Sequence, residues 1–317
     1  SSLIIRLAYA IYCKQHFQEC HFFLVFDKNL LKEMFAFSGW TFIGSTSSIL
    51  RDQGVNIVIN IFCGTAVNAA RGIAMQVYNA IHGFSQNFIL AVNPQIIKSY
   101  ACGDIDYMFS LSFRSSRFSY YLLFCISLPL IIQMNWLLTF WLEIVPEFTL
   151  QFSIWVLIFG MTEAISMPLQ YVNQASGKVK VYQLVIGGIQ MLNFPLSSLL
   201  LWLNFSPVSV FVLAVFISLI CLFARLLILH KELELPIFTF CKDVLLKIII
   251  VSIFGTIIPL TILYFWNPTL VLSRITLMLI AFASACFSSY YLGCQKSERD
   301  FISRKIESAL NRLTHNA

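Results

Sequence analysis

Arg51 and Asp52 stand side by side in one long apolar stretch, and Arg71 stands in the next. Asn56 follows the first pair, and Asn79, His82 and Gln86 follow Arg71. An ionised side chain at the centre of a bilayer costs roughly 2.5–3.5 kcal/mol on insertion scales. Such residues face a bundle interior or a water-filled pathway, so the residue types imply a route for a polar cargo. The His82 ring can relay a proton, or it can be one more hydrogen-bonded member of a polar row. Glu163, alone in a later apolar stretch, is the candidate for ion or proton coupling. The other reading of Glu163 is a carboxyl held protonated by burial. Arg51 and Asp52 can also neutralise each other structurally. Adjacent residues point about 100° apart on a helix, however, which makes direct pairing awkward and a partner on a neighbouring helix the alternative. No nucleophile elbow, Gly-rich phosphate loop or metal-ligand spacing occurs, so no catalytic residue, cofactor or metal is expected.

Spans of helix must position these groups. The chain is 58% apolar and 11% charged, with a mean hydropathy of +0.79. Soluble domains carry roughly 25% charged residues. A span needs about 20 apolar residues. Eight stretches qualify, at 35–63, 65–97, 107–134, 148–172, 180–203, 207–229, 243–266 and 270–294. None shows the ten-residue alternation of an outer-membrane barrel, so the expected fold is an all-α integral membrane protein. Reading Arg51–Gly54 as a loop would leave two pieces too short to cross, so 35–63 is taken as one helix, with a distortion at Gly54 allowed.

Charge placement gives the orientation. Of 21 Lys and Arg, 18 fall in five places: up to Lys32, at 98–117, at 178–180, at 225–247 and from Lys296 onward. The intervening connections 63–66, 135–147, 203–208 and 266–269 carry none. This alternation puts both ends of the chain on the cytoplasmic side. The net charge of +6 therefore reports orientation and anionic lipid rather than nucleic acid. The opening run SSLIIRLAYAIYC, followed by Lys14, reads as the end of an earlier helix, and the chain as a piece of a longer protein. Asp27 is placed to cap KNLLKEMF, a membrane-surface amphipathic linker.

Helical spacing separates the spans. Asn68, Arg71, Gly72, Asn79, His82, Gly83, Gln86 and Asn93 fall on one stripe of the second span. Thr41, Ser45, Ser48, Asp52 and Asn56 fall on one stripe of the first, as the helical repeat requires. Gln183, Gly187, Gln190 and Ser197, with Asn193 beside them, make a shorter stripe in the fifth. Glu163, Ser166, Gln170 and Asn173 lie towards one end of the fourth. The sixth and seventh spans carry little that is polar and are expected to face lipid. Ala281, Ser284, Ala285 and Ser288 give the eighth a small-residue packing face. Arg274 is expected to snorkel at the outer interface. Pro94, Pro129, Pro168, Pro195 and Pro259 lie inside spans, where they can kink helices.

The segment NAARGIAMQVYNAIHGF, then AVNPQIIKSYACGDIDYMFSLSFRSSRFSYYLLFCISLPL, and later QASGKVKVYQLVIGGIQMLNFPLS, resemble bacterial polysaccharide flippases. These are the O-antigen and capsule exporters of the MATE-like multidrug/oligosaccharidyl-lipid/polysaccharide superfamily. The resemblance covers about 20–295. It implies a fourteen-helix fold of two six-helix lobes and two further C-terminal helices, of which this chain holds the seventh to fourteenth. In those terms 1–34 is a helix end and linker, 35–230 the second lobe, 231–295 two accessory helices and 296–317 a cytoplasmic tail. The implied activity is translocation of undecaprenyl-pyrophosphate-linked oligosaccharide across the bacterial inner membrane by alternating access. Arg51 and Arg71 would face the pyrophosphate in a cavity between lobes, and the Asn and Gln stripe the sugar hydroxyls. The implied partners are the lipid-linked oligosaccharide, membrane lipids, an N-terminal lobe absent from this sequence, a polysaccharide polymerase and a chain-length regulator. A cation-coupled drug exporter of the same superfamily is the nearest alternative, although it would favour an acidic cavity. A membrane polymerase or acyltransferase is the alternative of another class.

Overall fold

The computed structural model describes residues 2–17, 26–266, 268, 270–300 and 303–304. The expectations for 18–25 and for most of the 296–317 tail lie outside them. All the extended elements are helices, and no strand occurs among the described residues. The chain divides into two compact units, Ser1–Gly39 and Trp40–Ala317.

In the first unit, α1 (Ser2–His16) presents exposed apolar side chains such as Ile4 and Ile11. The expected cap at Asp27 is present: its carboxylate accepts from the backbone N–H of Asn29 at 2.8 Å and of Leu30 at 3.3 Å. Two of the orphan donors that open a helix are thereby satisfied.

The stretch Lys28–Ala101 is helical throughout except at Gly64, whose φ of 82° and ψ of 176° are non-helical. A straight helix would set Asp52 and Arg71 about 28 Å apart. They lie within 2.9 Å (Arg71 Nη2 to the Asp52 carbonyl), so the chain folds back at Gly64. The two arms, α2 (28–63) and α3 (65–101), are antiparallel, and the turn falls within the expected connection 63–66. Helix α2 runs through Arg51–Gly54 without the distortion allowed there. Gly54 instead lets the Phe194 ring approach, since a Cβ at that position would stand 2.5 Å from it.

Next come α4 (Ile105–Ile132), α5 (Met134–Leu142), α6 (Thr149–Ser176), α7 (Val179–Met191), α8 (Asn193–Trp202) and α9 (Val208–Leu233). The last two are α10 (Ile237–Phe265) and α11 (Val271–Gly293), each with one π-helical turn. Among the described residues seven helical stretches are long and apolar enough to cross a membrane, the first being the folded Lys28–Ala101 and the fourth Val179–Trp202. The chain is an all-α, multi-pass membrane protein.

Three expectations change. The connection 135–147 is helical over Met134–Leu142, because Met134 and Leu138 find a buried seat against α6. The fifth span breaks at Leu192 into α7 and α8, just before Pro195, which has no N–H to continue the ladder. The sixth span, α9, does not simply face lipid. Phe216, Ile220, Phe223 and Leu227 form an exposed stripe, but Ser218, Cys221, Leu222, Arg225 and Leu226 are buried against α6 and α7. The expected small-residue face of α11 is present: Ala281, Ser284, Ala285 and Ser288 are buried against α10, and Ser284 donates to the Gly255 carbonyl at 2.9 Å.

Candidate functional site

The turn at Gly64 is what brings the charged residues together. Measured from Gly64, Asn56 and Arg71 lie eight and seven residues along their arms, so they meet across the hairpin. Arg71 Nη1 donates to Asn56 Oδ1 at 3.3 Å and Arg71 Nη2 to the Asp52 carbonyl at 2.9 Å. Val55, Val58 and Ile59 of α2 and Ala70 and Ala74 of α3 pack beneath them with Phe152, Val156 and Phe211. The small Ala side chains let the arms approach closely enough for these bonds.

Arg51 and Asp52 pair directly, against the expectation. Arg51 Nε donates to Asp52 Oδ1 at 2.9 Å and Nη2 to Oδ2 at 3.4 Å. The long arginine chain curls back along the helix and bridges the angle between neighbouring positions. The Arg51 guanidinium also lies 5.4 Å from the centre of the Phe159 ring on α6, within cation–π range. Its side chain is 14% exposed and that of Asp52 50%.

Among the described residues no carboxylate comes within 4.0 Å of Arg71. Its two acceptors are neutral. Arg51 is paired with Asp52 and also lies in the field of Glu163, so Arg71 is the cation of the cluster with no carboxylate in direct contact. A cleft of about 60 Å³ opens beside it, lined by Arg51, Asp52, Arg71, Met75, Tyr78 and Phe159 among others.

The other expected residues separate into two groups. Asn79 and Gln86 are exposed on α3, on the side away from Ala70, Ala74, Ile81 and Ile89, which are buried. His82 stacks on Tyr78 with ring centres 4.8 Å apart, and Tyr78 lines the cleft. Glu163 lies one turn beyond Phe159 on α6. It accepts from the Ser218 hydroxyl of α9 at 2.5 Å. Ser218 itself receives the Thr162 hydroxyl at 3.2 Å. Arg51, Asp52, Asn56 and Arg71 thus form one contact cluster, with His82 at its edge through Tyr78. Asn79, Gln86 and Glu163 make no direct contact with it.

The remaining stripes are partly interhelical joints. Ser48 of α2 donates to Gln190 of α7 at 3.1 Å, whereas Asn193 accepts from Ser197 within α8 at 2.9 Å. Asn173 donates to the Lys178 carbonyl at 3.3 Å and to Glu232 at 3.4 Å, tying the α6–α7 turn to the end of α9. Arg274 donates to the Pro268 carbonyl at 3.2 Å and lies 5.9 Å from the Trp136 ring centre.

Two arginines counted only as orientation signals have buried roles. Arg117 of α4 is 3% exposed and meets Glu298 at 2.5 Å, which Arg114 also reaches at 3.1 Å. Arg117 donates as well to the Asp243 carbonyl at 3.0 Å. Arg225 of α9 is 3% exposed, and its Nε and Nη1 have no hydrogen-bond partner among the described residues. For Arg225 the available signal was its position inside an apolar run, FARLLILH. No group of three or more His, Cys, Asp and Glu able to hold a metal occurs among the described residues.

A cationic cluster on a helical hairpin, inside an all-α multi-pass membrane protein, is the class of site that fold and chemistry define. No protein-family model, no curated protein and no solved structure matches this chain.

Proposed function

We propose that this chain forms one lobe of a bacterial flippase that moves undecaprenyl-pyrophosphate-linked oligosaccharide across the cytoplasmic membrane by alternating access. The observation that carries the reading is Arg71, which has no carboxylate in direct contact among the described residues and is held by two neutral acceptors beside the Arg51–Asp52 pair. A guanidinium kept in place by neutral oxygens keeps its attraction for an incoming phosphate, and its planar donor fork suits phosphate oxygens. The exposed Asn79 and Gln86 on the same arm supply donors and acceptors for sugar hydroxyls. A second lobe would close the polar face, and rocking between lobes would widen the small cleft to admit the headgroup. Glu163 is assigned to coupling, because it is a buried carboxyl bonded across α6 and α9, in the field of Arg51 and Arg225. A change in its protonation or ion occupancy would alter the packing of those two helices.

The test replaces Arg51 and Arg71 singly by Ala in the complete protein and measures surface polysaccharide in cells lacking their native flippase. The proposal expects loss of surface polysaccharide at normal protein levels. Normal surface polysaccharide in both variants would overturn it.

A further inference from the structure

A polar cavity of about 130 Å³ lies between α2, α6, α7 and α9 and shares no lining residue with the cleft at Arg71. On α9 it is lined by Arg225, whereas the first cleft reaches that helix no further along than Ala214. At the helical rise per residue those two positions are about 16 Å apart. The cavity walls include Ser48, Gln170, Tyr182, Gln183, Gln190 and Arg225, and no Asp or Glu. Arg225 is buried with Nε and Nη1 lacking an acceptor in hydrogen-bond geometry among the described residues, and the neutral Tyr182 hydroxyl lies beside the guanidinium with its own hydrogen-bonding capacity unmet. Arg225 is 3% and Tyr182 2% exposed.

A guanidinium cannot shed its proton, so its charge cannot be relieved by neutralisation. Burying an ion with no counter-charge in direct contact is costly in a protein interior. The nearest candidate counter-charge is Glu163, which accepts from Ser218 and does not come within 4.0 Å of the guanidinium. Water in the cavity would satisfy N–H groups but leave the charge. A tetrahedral oxyanion does both: its oxygens can take the three N–H bonds open at Nε and Nη1, the Tyr182 hydroxyl and carboxamide N–H groups. A cavity of about 130 Å³ has room for a group the size of one phosphate.

We infer that the Arg225 cavity is a binding site for a single phosphate-type oxyanion, separate from the Arg51–Arg71 cluster. Free phosphate and the phosphomonoester of a lipid headgroup share this chemistry. The site does not depend on the flippase reading and is tested by binding rather than transport.

The full chain, purified in detergent, is titrated with radiolabelled inorganic phosphate and, separately, with short-chain phosphatidic acid as competitor and as direct ligand. Saturable phosphate binding is expected, weakened at least about tenfold by Arg225→Gln and less by Arg225→Lys, with Gln190→Leu also lowering affinity. Binding of phosphatidic acid alone, dependent on Arg225, would support the site and identify a headgroup as its source. No binding of either ligand to the unaltered chain, or undiminished binding in Arg225→Gln, would overturn the inference. If Arg225→Gln does not fold, Gln190→Leu decides, and unchanged affinity there overturns it.

Discussion

At the scale of single residues, geometry separates Arg71 from a generic positive charge. It spans two acceptors, the Asn56 carboxamide at 3.3 Å and the Asp52 carbonyl at 2.9 Å. One ammonium point charge does not reproduce that planar reach. Hydrogen bonds to a charged group are worth about 1.5–3 kcal/mol, or roughly ten- to a hundredfold. Arg71→Ala should therefore reduce export by about tenfold or more, and Arg71→Lys should recover little of it. Surface polysaccharide per cell at matched protein level is the readout, and a lysine variant equal to the original would show that charge alone suffices. The residue types at this site were legible in the sequence because ionised groups stand out against an apolar background. The direct Arg51–Asp52 pair was not, since helical angles between Cα positions say little about where a flexible arginine head ends.

At the scale of elements, the hairpin depends on Gly64. Its φ of 82° and ψ of 176° fall in a region essentially reserved for glycine. Gly64→Ala should lower stability by about 1–3 kcal/mol. Gly72 lies eight residues on, inside α3, with open space around it. Gly72→Ala should be neutral or stabilising by up to about 1 kcal/mol, since alanine is the better helix former. Thermal unfolding of the purified variants in detergent distinguishes the two, and equal shifts would contradict the special role of the turn. Helix positions were readable from runs of apolar residues, and the turn from the break in charge placement at 63–66. The faces of α9 were not readable. Core and lipid are equally apolar, so hydropathy cannot tell Leu222, which is buried, from Leu227, which is exposed. Helix α5 escapes a sequence reading for a related reason: a connection lacking Lys and Arg resembles a loop, while its apolar residues serve a packing seat on α6.

At the scale of the whole molecule, pairings distant in sequence set what one chain cannot announce in advance. Glu298, just beyond α11, is buried between Arg114 and Arg117 of α4. Breaking a buried ion pair costs about 3–5 kcal/mol because a charge is left behind. Glu298→Gln should lower the thermal midpoint markedly more than removal of the exposed Asp300, and equal midpoints would argue against the clamp. Orientation makes a separate prediction. The exposed Cys102, in a background without other cysteines, should react with a membrane-impermeant maleimide only from the cytoplasmic side. Cysteine at the exposed position of Asn204 should react only from the opposite side. Labelling of both positions from one side would break the proposed topology. The central claim is that the hairpin cluster handles the pyrophosphate of a translocating lipid. Its most direct measurement reconstitutes the complete protein in liposomes carrying undecaprenyl-pyrophosphate-linked oligosaccharide and follows the appearance of the glycan on the opposite leaflet. The account predicts translocation by the unaltered protein and little above empty liposomes for Arg71→Ala. Equal rates for the two proteins, or no translocation by either, would contradict it.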